Sequence, residues 1–309
     1  KTVKSVVKTF KSAIKDETIK QLEANSKSLS QKMQQAAKQA KQIQQEAQKI
    51  NLELLSKSTL DFEDKKHAEE LIKKQNQLEK LLKDIEREAK KNQLAQKEIN
   101  PENQALIEKQ KEIQELFEKV LDDKTKKLLE NLQKLLDQNN KEQVRDNLQQ
   151  IKADNKSIEK EFERMLELYK KLAFDQKLDN AANKLKELSQ KQNELSKQTE
   201  NKTTKDNESL QKQQELQKEF SEVKKDLKEL EEKKKESNAE DFKNPEGEQQ
   251  EIEKNMKDAE NMLEKKQKSA AKAQKSASEK MSELSKKLSD MQSVMQGEEN
   301  MVNAQELKK

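Results

Sequence analysis

Ile19, Leu22, Ser26, Leu29, Met33, Ala36, Ala40, Ile43, Ala47, Ile50 and Leu54 are separated by intervals that alternate three and four throughout. This is a seven-residue repeat held for five heptads. It lays one narrow apolar stripe along a helix, and in water such a stripe needs a partner helix to cover it. The alanines at 36, 40 and 47 allow that partner to approach closely. The pattern therefore predicts a long helix from Asp16 packed against others.

The same spacing recurs outward from this stretch. A second stripe runs through Ala68, Leu71, Gln75, Leu78, Leu82, Ile85 and Ala89. Between the two stripes, Ser56-Lys57-Ser58-Thr59 and Asp61-Phe62-Glu63-Asp64 read as a helix–helix corner. Ser58 or Thr59 is expected to cap the second helix, with the acids at the positive end of its dipole. Asn100-Pro101-Glu102 opens a third helical segment, because Pro suits the first helical position and Asn the cap before it. That segment carries Leu106, Ile113, Phe117 and Val120, then, after Asp122-Asp123, the denser set Leu128, Leu129, Leu132, Leu135 and Leu136. A wider apolar face calls for more than one neighbouring helix.

After Gln138-Asn139-Asn140 the stripe resumes from Val144 through Asn155, Phe162, Met165, Tyr169 and Leu172, and on through Leu178, Leu185, Leu188, Gln192 and Leu195. One continuous helix over 141–199 would be about 90 Å long at 1.5 Å per residue. The stretch from Glu200 to Asn207 has no apolar residue and reads as a loop. Leu210, Leu216, Phe220, Val223, Leu227 and Leu230 follow, then a break from Ser237 to Gly247 that holds Pro245. A last stripe runs from Ile252 through Met256, Ala259, Leu263, Ala270, Ala277 and Met281 to Met295, with Gly297 as its stop.

The predicted fold is therefore all-α: elongated antiparallel coiled-coil hairpins forming a bundle of long helices. Residues 16–100 make one hairpin and 101–200 a second, whose long helix starts near 141. Residues 201–207 are a loop, 208–296 a third hairpin broken at 237–247, and 297–309 a polar tail. Short corners between amphipathic helices imply antiparallel neighbours. Residues 1–15 alternate Lys1, Lys4, Lys8, Lys11 and Lys15 with Val3, Val6, Val7, Phe10 and Ile14. They read as a basic lead-in, a linker or a strand from a preceding domain, with a basic amphipathic surface segment as the alternative.

Composition narrows the function classes. Of 309 residues, 41% are charged and 30% hydrophobic, against roughly 25% and 45–50% in ordinary globular domains. Basic and acidic residues nearly balance, 65 against 61, so helix is a better reading than charge-driven disorder. Two Gly and two Pro leave little turn chemistry for sheet. The absence of Cys removes disulfides, thiol nucleophiles and thiolate metal sites. No apolar run approaches the roughly 20 residues that span a bilayer. All but three basic residues, Arg87, Arg145 and Arg164, are lysine, and the faces are charge-balanced, which argues against nucleic-acid recognition.

The chemistry-bearing residues read as structural. His67, the single histidine, sits beside Ala68 of the seam and is expected to face solvent, where it could pair with Asp64 or Glu63. Acidic pairs at helical spacing abound, yet general acid–base work needs carboxylates in a desolvated pocket, which a two-stranded seam does not offer. Asp61 to Asp64 and Asp122-Asp123 lack the Gly turn and distal Glu of a calcium loop. No phosphate loop or nucleophile motif is present. Catalytic, cofactor-binding and metal-ligating residues are accordingly expected to be none, and an enzyme is not expected. Gln75, Asn155 and Gln192 interrupt apolar seams and read as register-setting residues. Met281, Met291, Met295 and Met301 read as seam filling, with an adaptable docking face as the alternative.

The stretch Leu54-Leu55-Ser56-Lys57-Ser58-Thr59-Leu60-Asp61-Phe62-Glu63-Asp64-Lys65-Lys66 resembles a signature of a family of large Bacteroidota proteins of unknown function. The resemblance continues at residues 161–172, Glu161-Phe162-Glu163-Arg164-Met165-Leu166-Glu167-Leu168-Tyr169-Lys170-Lys171-Leu172, and at 111–118, Lys111-Glu112-Ile113-Gln114-Glu115-Leu116-Phe117-Glu118. The family has an Asp where this chain has Glu163. The resemblance implies a protein of more than a thousand residues, with transmembrane helices and a β-rich region before this segment. It also implies anchoring in the bacterial inner membrane, with this segment facing the periplasm. The expected function is a non-enzymatic scaffold that contacts envelope proteins. The alternative is an amphipathic helical module that binds lipid or a membrane surface.

Overall fold

A computed structural model describes the backbone of residues 2–99, 103–120, 124–203 and 206–306, and the side chains of 17–98, 103–120, 125–203 and 206–297. The fold is all-α, with no strand among the described residues. Eight helices are present among them: α1 Thr2–Leu55, α2 Phe62–Ile99, α3 Gln104–Val120, α4 Lys124–Asp137, α5 Lys141–Glu200, α6 Asp206–Lys233, α7 Glu246–Glu264 and α8 Ala270–Glu306. The chain divides into two compact units, residues 1–172 and 173–309, so α5 contributes its first part to one and its second part to the other.

In the first unit α1 and α2 are antiparallel. Lys32 pairs with Glu88 and Lys74 with Glu46, so the residue numbers of facing pairs have a constant sum. The first part of α5 lies antiparallel to α1, with Arg145 Nε donating to Asn51 Oδ1 at 3.1 Å and Lys41 3.3 Å from Glu159. α3 and α4 run antiparallel to α5, marked by Arg164 on Glu112 at 2.9 Å, an edge-on Phe117–Phe162 pair at 6.1 Å, and Thr125 on Asp154. The result is an up-down-up-down helical bundle. The expected stripes line its core: Leu29, Met33, Ala36, Ala40, Ile43 and Ala47 from α1, Ala68, Leu71, Leu78 and Ile85 from α2, and the five leucines of α4 are all buried. The 111–118 and 161–172 stretches meet here, through Phe117 on Phe162 and Glu112 on Arg164.

The second unit repeats the plan with other helices. α6 runs antiparallel to α5, through Lys184 on Glu222 and Lys191 on Glu219 at 2.7 Å. α7 runs antiparallel to α6, through Lys224 on Glu253 at 2.5 Å, and α8 to α7, through Lys280 on Glu251 at 2.6 Å. α8 closes the bundle against α5 by a ladder of one heptad per rung. Ser196 donates to Ala271 O at 2.7 Å, Ser189 and Ser278 donate to each other's backbone carbonyls at 2.8 and 2.7 Å, and Ser285 donates to Ala182 O at 2.7 Å. Gln292 Nε2 on Asp175 O, at 3.1 Å, ends it. Hydroxyls reach a partner's carbonyls only where small residues let two helices come close. The segment between α6 and α7 folds inward, burying Phe242 fully and setting it edge-on to Phe174 at 5.5 Å.

Several boundaries differ from expectation. No strand forms at the start of the chain: α1 is assigned from Thr2, because Val3, Val7, Phe10 and Ile14 continue a three-four spacing. The side chains of 1–16 lie outside the described residues, as do Asn100-Pro101-Glu102 and Asp122-Asp123. The 208–296 segment contains three helices where two were expected, because the chain also reverses at 265–269. The 297–309 tail is not separated by a stop at Gly297, since α8 runs on to Glu306. Gly247 likewise lies inside α7, and neither glycine has a positive φ.

The helix stops are made by other residues. Asn139, Lys202, Asn238 and Lys266 adopt φ of 57°, 52°, 49° and 53°. Each is followed by a backbone N–H that reaches five residues back: Asn140 to Leu135, Thr203 to Gln198, Ala239 to Lys234 and Gln267 to Met262, at 2.8 to 3.2 Å. These are Schellman-type ends built without glycine.

Candidate functional site

The α1–α2 corner holds the densest constellation of titratable groups that the sequence singled out. Asp61, just before α2, caps it: Asp61 Oδ1 accepts from Asp64 N–H at 2.9 Å, while Asp64 Oδ2 accepts from Asp61 N–H at 3.0 Å. This reciprocal capping box satisfies two backbone donors at once. Asp61 therefore does the work expected of Ser58 or Thr59. Lys57 Nζ closes the cluster, donating to Asp61 at 2.6 Å and to the buried Asp64 at 2.7 Å. Lys141, at the start of α5, donates to the Lys57 carbonyl at 2.7 Å.

The Lys57 ammonium, followed by the Asp64 N–H, lowers the Asp61 carboxyl from its ordinary 3.8 to about 2. Lys57 is raised above its ordinary value, chiefly by its hydrogen bond to Asp61 and then by that to Asp64. A carboxylate lowered by folding stabilises the folded chain fully above its unfolded value, and that contribution is lost as pH falls through the folded value. Acidification from pH 4 to pH 2 should therefore weaken the corner, and Asp61→Asn should flatten that acid limb. Urea titrations of both proteins across this range check it; superimposable acid limbs would rule it out.

His67 does not meet Glu63 or Asp64. Its Nδ1 lies 3.9 Å from Glu53 on α1, and its side chain is 43% exposed. No group of three His, Asp or Glu side chains among the described residues is arranged to hold a metal ion. The outside of the corner carries three large apolar side chains among its polar ones. Leu52, Leu55 and Phe62 are 55%, 55% and 79% exposed, whereas Leu60 between them is buried.

Two sets of buried polar residues pair across helices. In the first unit Asn155 Nδ2 donates to Gln75 Oε1 at 2.8 Å, and Asn92 Nδ2 donates to the Tyr169 hydroxyl at 3.0 Å. In the second unit Gln192 and Gln213 exchange hydrogen bonds at 2.8 and 3.2 Å, and Gln274 Nε2 donates to Gln213 Oε1 at 3.1 Å. All three glutamines are fully buried. Gln75, Asn155 and Gln192 were legible as breaks in apolar stripes. Gln213 and Gln274 were not, although each sits within a stripe of its own helix. The signal for the serine ladder was present too, in Ser189 and Ser196, and in Ser278 and Ser285, each pair seven residues apart.

Of the four methionines considered for docking, Met281 is fully buried and Met295 nearly so, and Met291 packs half-buried against the core. Met301 lies outside the described side chains. Met291 and Met295, with the 60% exposed Val294, line a groove on α8. Met281 thus fills the seam as expected, while Met291 and Met295 both pack on the core and border the groove. Among the described residues no helix is long and apolar enough to cross a membrane. No protein-family model, curated protein or solved structure matches the chain.

Proposed function

We propose that this chain is a non-enzymatic scaffolding module that acts through protein–protein contacts within a larger cell-envelope protein. The observation that carries this reading is the placement of Leu52, Leu55 and Phe62 on the outside of a corner whose Lys57, Asp61 and Asp64 are engaged in holding the turn. Exposed apolar side chains that cluster on a highly charged surface mark a contact site. The paired buried amides and the ladder serines, in contrast, bond to one another and to backbone carbonyls across helices, as register-setting residues would. Heptad spacing on α1, α2 and α5 supports packing of these helices as antiparallel coiled-coil hairpins. The likeness of residues 54–66, 111–118 and 161–172 to the large Bacteroidota family supports the envelope setting, with membrane attachment through sequence outside this segment and the helices facing the periplasm.

The test is chemical crosslinking and affinity capture from envelope fractions, comparing the chain with Phe62→Asp/Leu55→Asp. The expected result is a discrete set of captured proteins that the corner variant loses while its helical circular dichroism is unchanged. Capture that is identical in the variant, or no capture by the unmodified chain, would overturn the reading. Flotation of the chain with lipid vesicles in the absence of protein would favour the lipid-binding alternative instead.

A further inference from the structure

α8 presents a repeating face to α7. Ala277, Lys280 and Met281 form one heptad of it, Leu284, Lys287 and Leu288 the next, and Met291, Val294 and Met295 a third. α7 covers the first two. Its Glu251 pairs with Lys280 and its Glu248 with Lys287, while Ile252 and Met256 join Met281, Leu284 and Leu288 in the core. α7 begins at Glu246, two residues before Glu248, so no turn of it remains to cover the third heptad. That heptad lines an open groove of about 520 Å³, rimmed by Asp241, Glu283, Lys286, Lys287 and Asp290.

The residue types change where the cover ends. At 280 and 287 the flanking position is a lysine paired with a glutamate of α7; at 294 it is a valine, 60% exposed. A surface facing only water would do as well with a third lysine. Beside it, Met291 and Met295 give the groove a floor that can adapt to different side chains.

We propose that this groove receives an amphipathic helix of a protein partner, seated on α8 where α7's line is not filled. The proposal deepens the scaffolding reading and rests on it. The established α7–α8 interface runs directly into the groove, and it dictates the form of the occupant: a short helix with apolar side chains at i, i+3, i+4 and i+7. Charge dictates its flanks. Three of the five rim residues are acids, and Lys287 is already neutralised by Glu248, so the partner's flanks are basic.

The experiment uses the full chain and a fluorescein-labelled 14-residue peptide with leucines at those four positions and lysines on the flanks. A control peptide has the same composition with the leucines moved off the helical period. Fluorescence anisotropy should give saturable binding of the first peptide, at least tenfold tighter than the control. Val294→Lys, which extends the pattern of positions 280 and 287 at an exposed site, should weaken binding at least tenfold with unchanged circular dichroism, and Met291→Ala should act in the same direction. Absence of binding, equal binding of the control peptide, or indifference to Val294→Lys would overturn the proposal. So would a concentration-dependent dimer of the chain that Val294→Lys dissociates, which would assign the groove to a second copy. If envelope partners are captured but Val294→Lys leaves both capture and peptide binding unchanged, the groove proposal alone fails. If the unmodified chain captures nothing, the scaffolding reading fails.

Discussion

Leu185→Asp is expected to remove the cooperative unfolding transition of the second unit. Leu185 is fully buried on α5, within the cluster that includes Leu178, Leu188, Val223, Leu227 and Met281. A carboxylate there loses its hydration without gaining a partner, and the loss of the leucine's own packing adds to the penalty. The sum is about 4–5 kcal/mol or more, a large part of what holds an average domain together. Hydrogen exchange read by mass spectrometry gives the check, since it resolves helices individually. Protection should collapse in α6, α7 and α8 of the variant. Leu82→Asp, at a 3% exposed site of the first unit, should do the same to α1 and α2. Retained protection in both variants would show that these stripes do not face the core.

Gln213→Leu should cost almost as much, for the opposite chemical reason. Gln213 accepts hydrogen bonds from Gln192 and Gln274, so removing its amide leaves two others buried and unpaired. Each orphaned group costs roughly 1–3 kcal/mol, giving about 2–6 kcal/mol for the single change. Replacing all three glutamines by leucine removes the unpaired groups along with the network, and such exchanges are often neutral or stabilising. The triple variant should therefore recover stability in urea titration, yet lose the layer that tells α5, α6 and α8 which turn faces which. Slow exchange broadening of NMR signals from these helices would report the loss of a single register. A triple variant less stable than Gln213→Leu would mean that space, not hydrogen bonding, governs this layer.

The helices were legible because their stripes are long. Alternating intervals over five heptads leave little doubt about α1, and the breaks before Phe62, Lys141, Asp206 and Glu246 stand where polar runs interrupt a stripe. The reversal between α7 and α8 was hidden because Lys265-Lys266-Gln267-Lys268-Ser269 contains neither Gly nor Pro, and Ala270 resumes an apolar spacing that a continuous helix also satisfies. Conversely, Gly247 and Gly297 were read as punctuation although both sit in helices. At the corner the polar composition marks a capping site, but nothing in it favours Asp61 over Ser58 or Thr59 as the cap. Three-dimensional reciprocity between Asp61 and Asp64 decides it. The groove on α8 was visible only as a run of methionines, since its vacancy depends on where α7 starts.

The four reversals at Asn139, Lys202, Asn238 and Lys266 bear on the order in which the chain folds. A non-glycine residue held at positive φ pays roughly 1–2 kcal/mol in backbone sterics, less for asparagine, so none of these turns is favoured before the helices on either side meet. Chain reversal is then expected to follow helix pairing, with these turns formed after the transition state. Substituting glycine at Lys202 or Lys266 would slow unfolding more than it would hasten folding, and a chevron plot would show the larger shift on its unfolding limb.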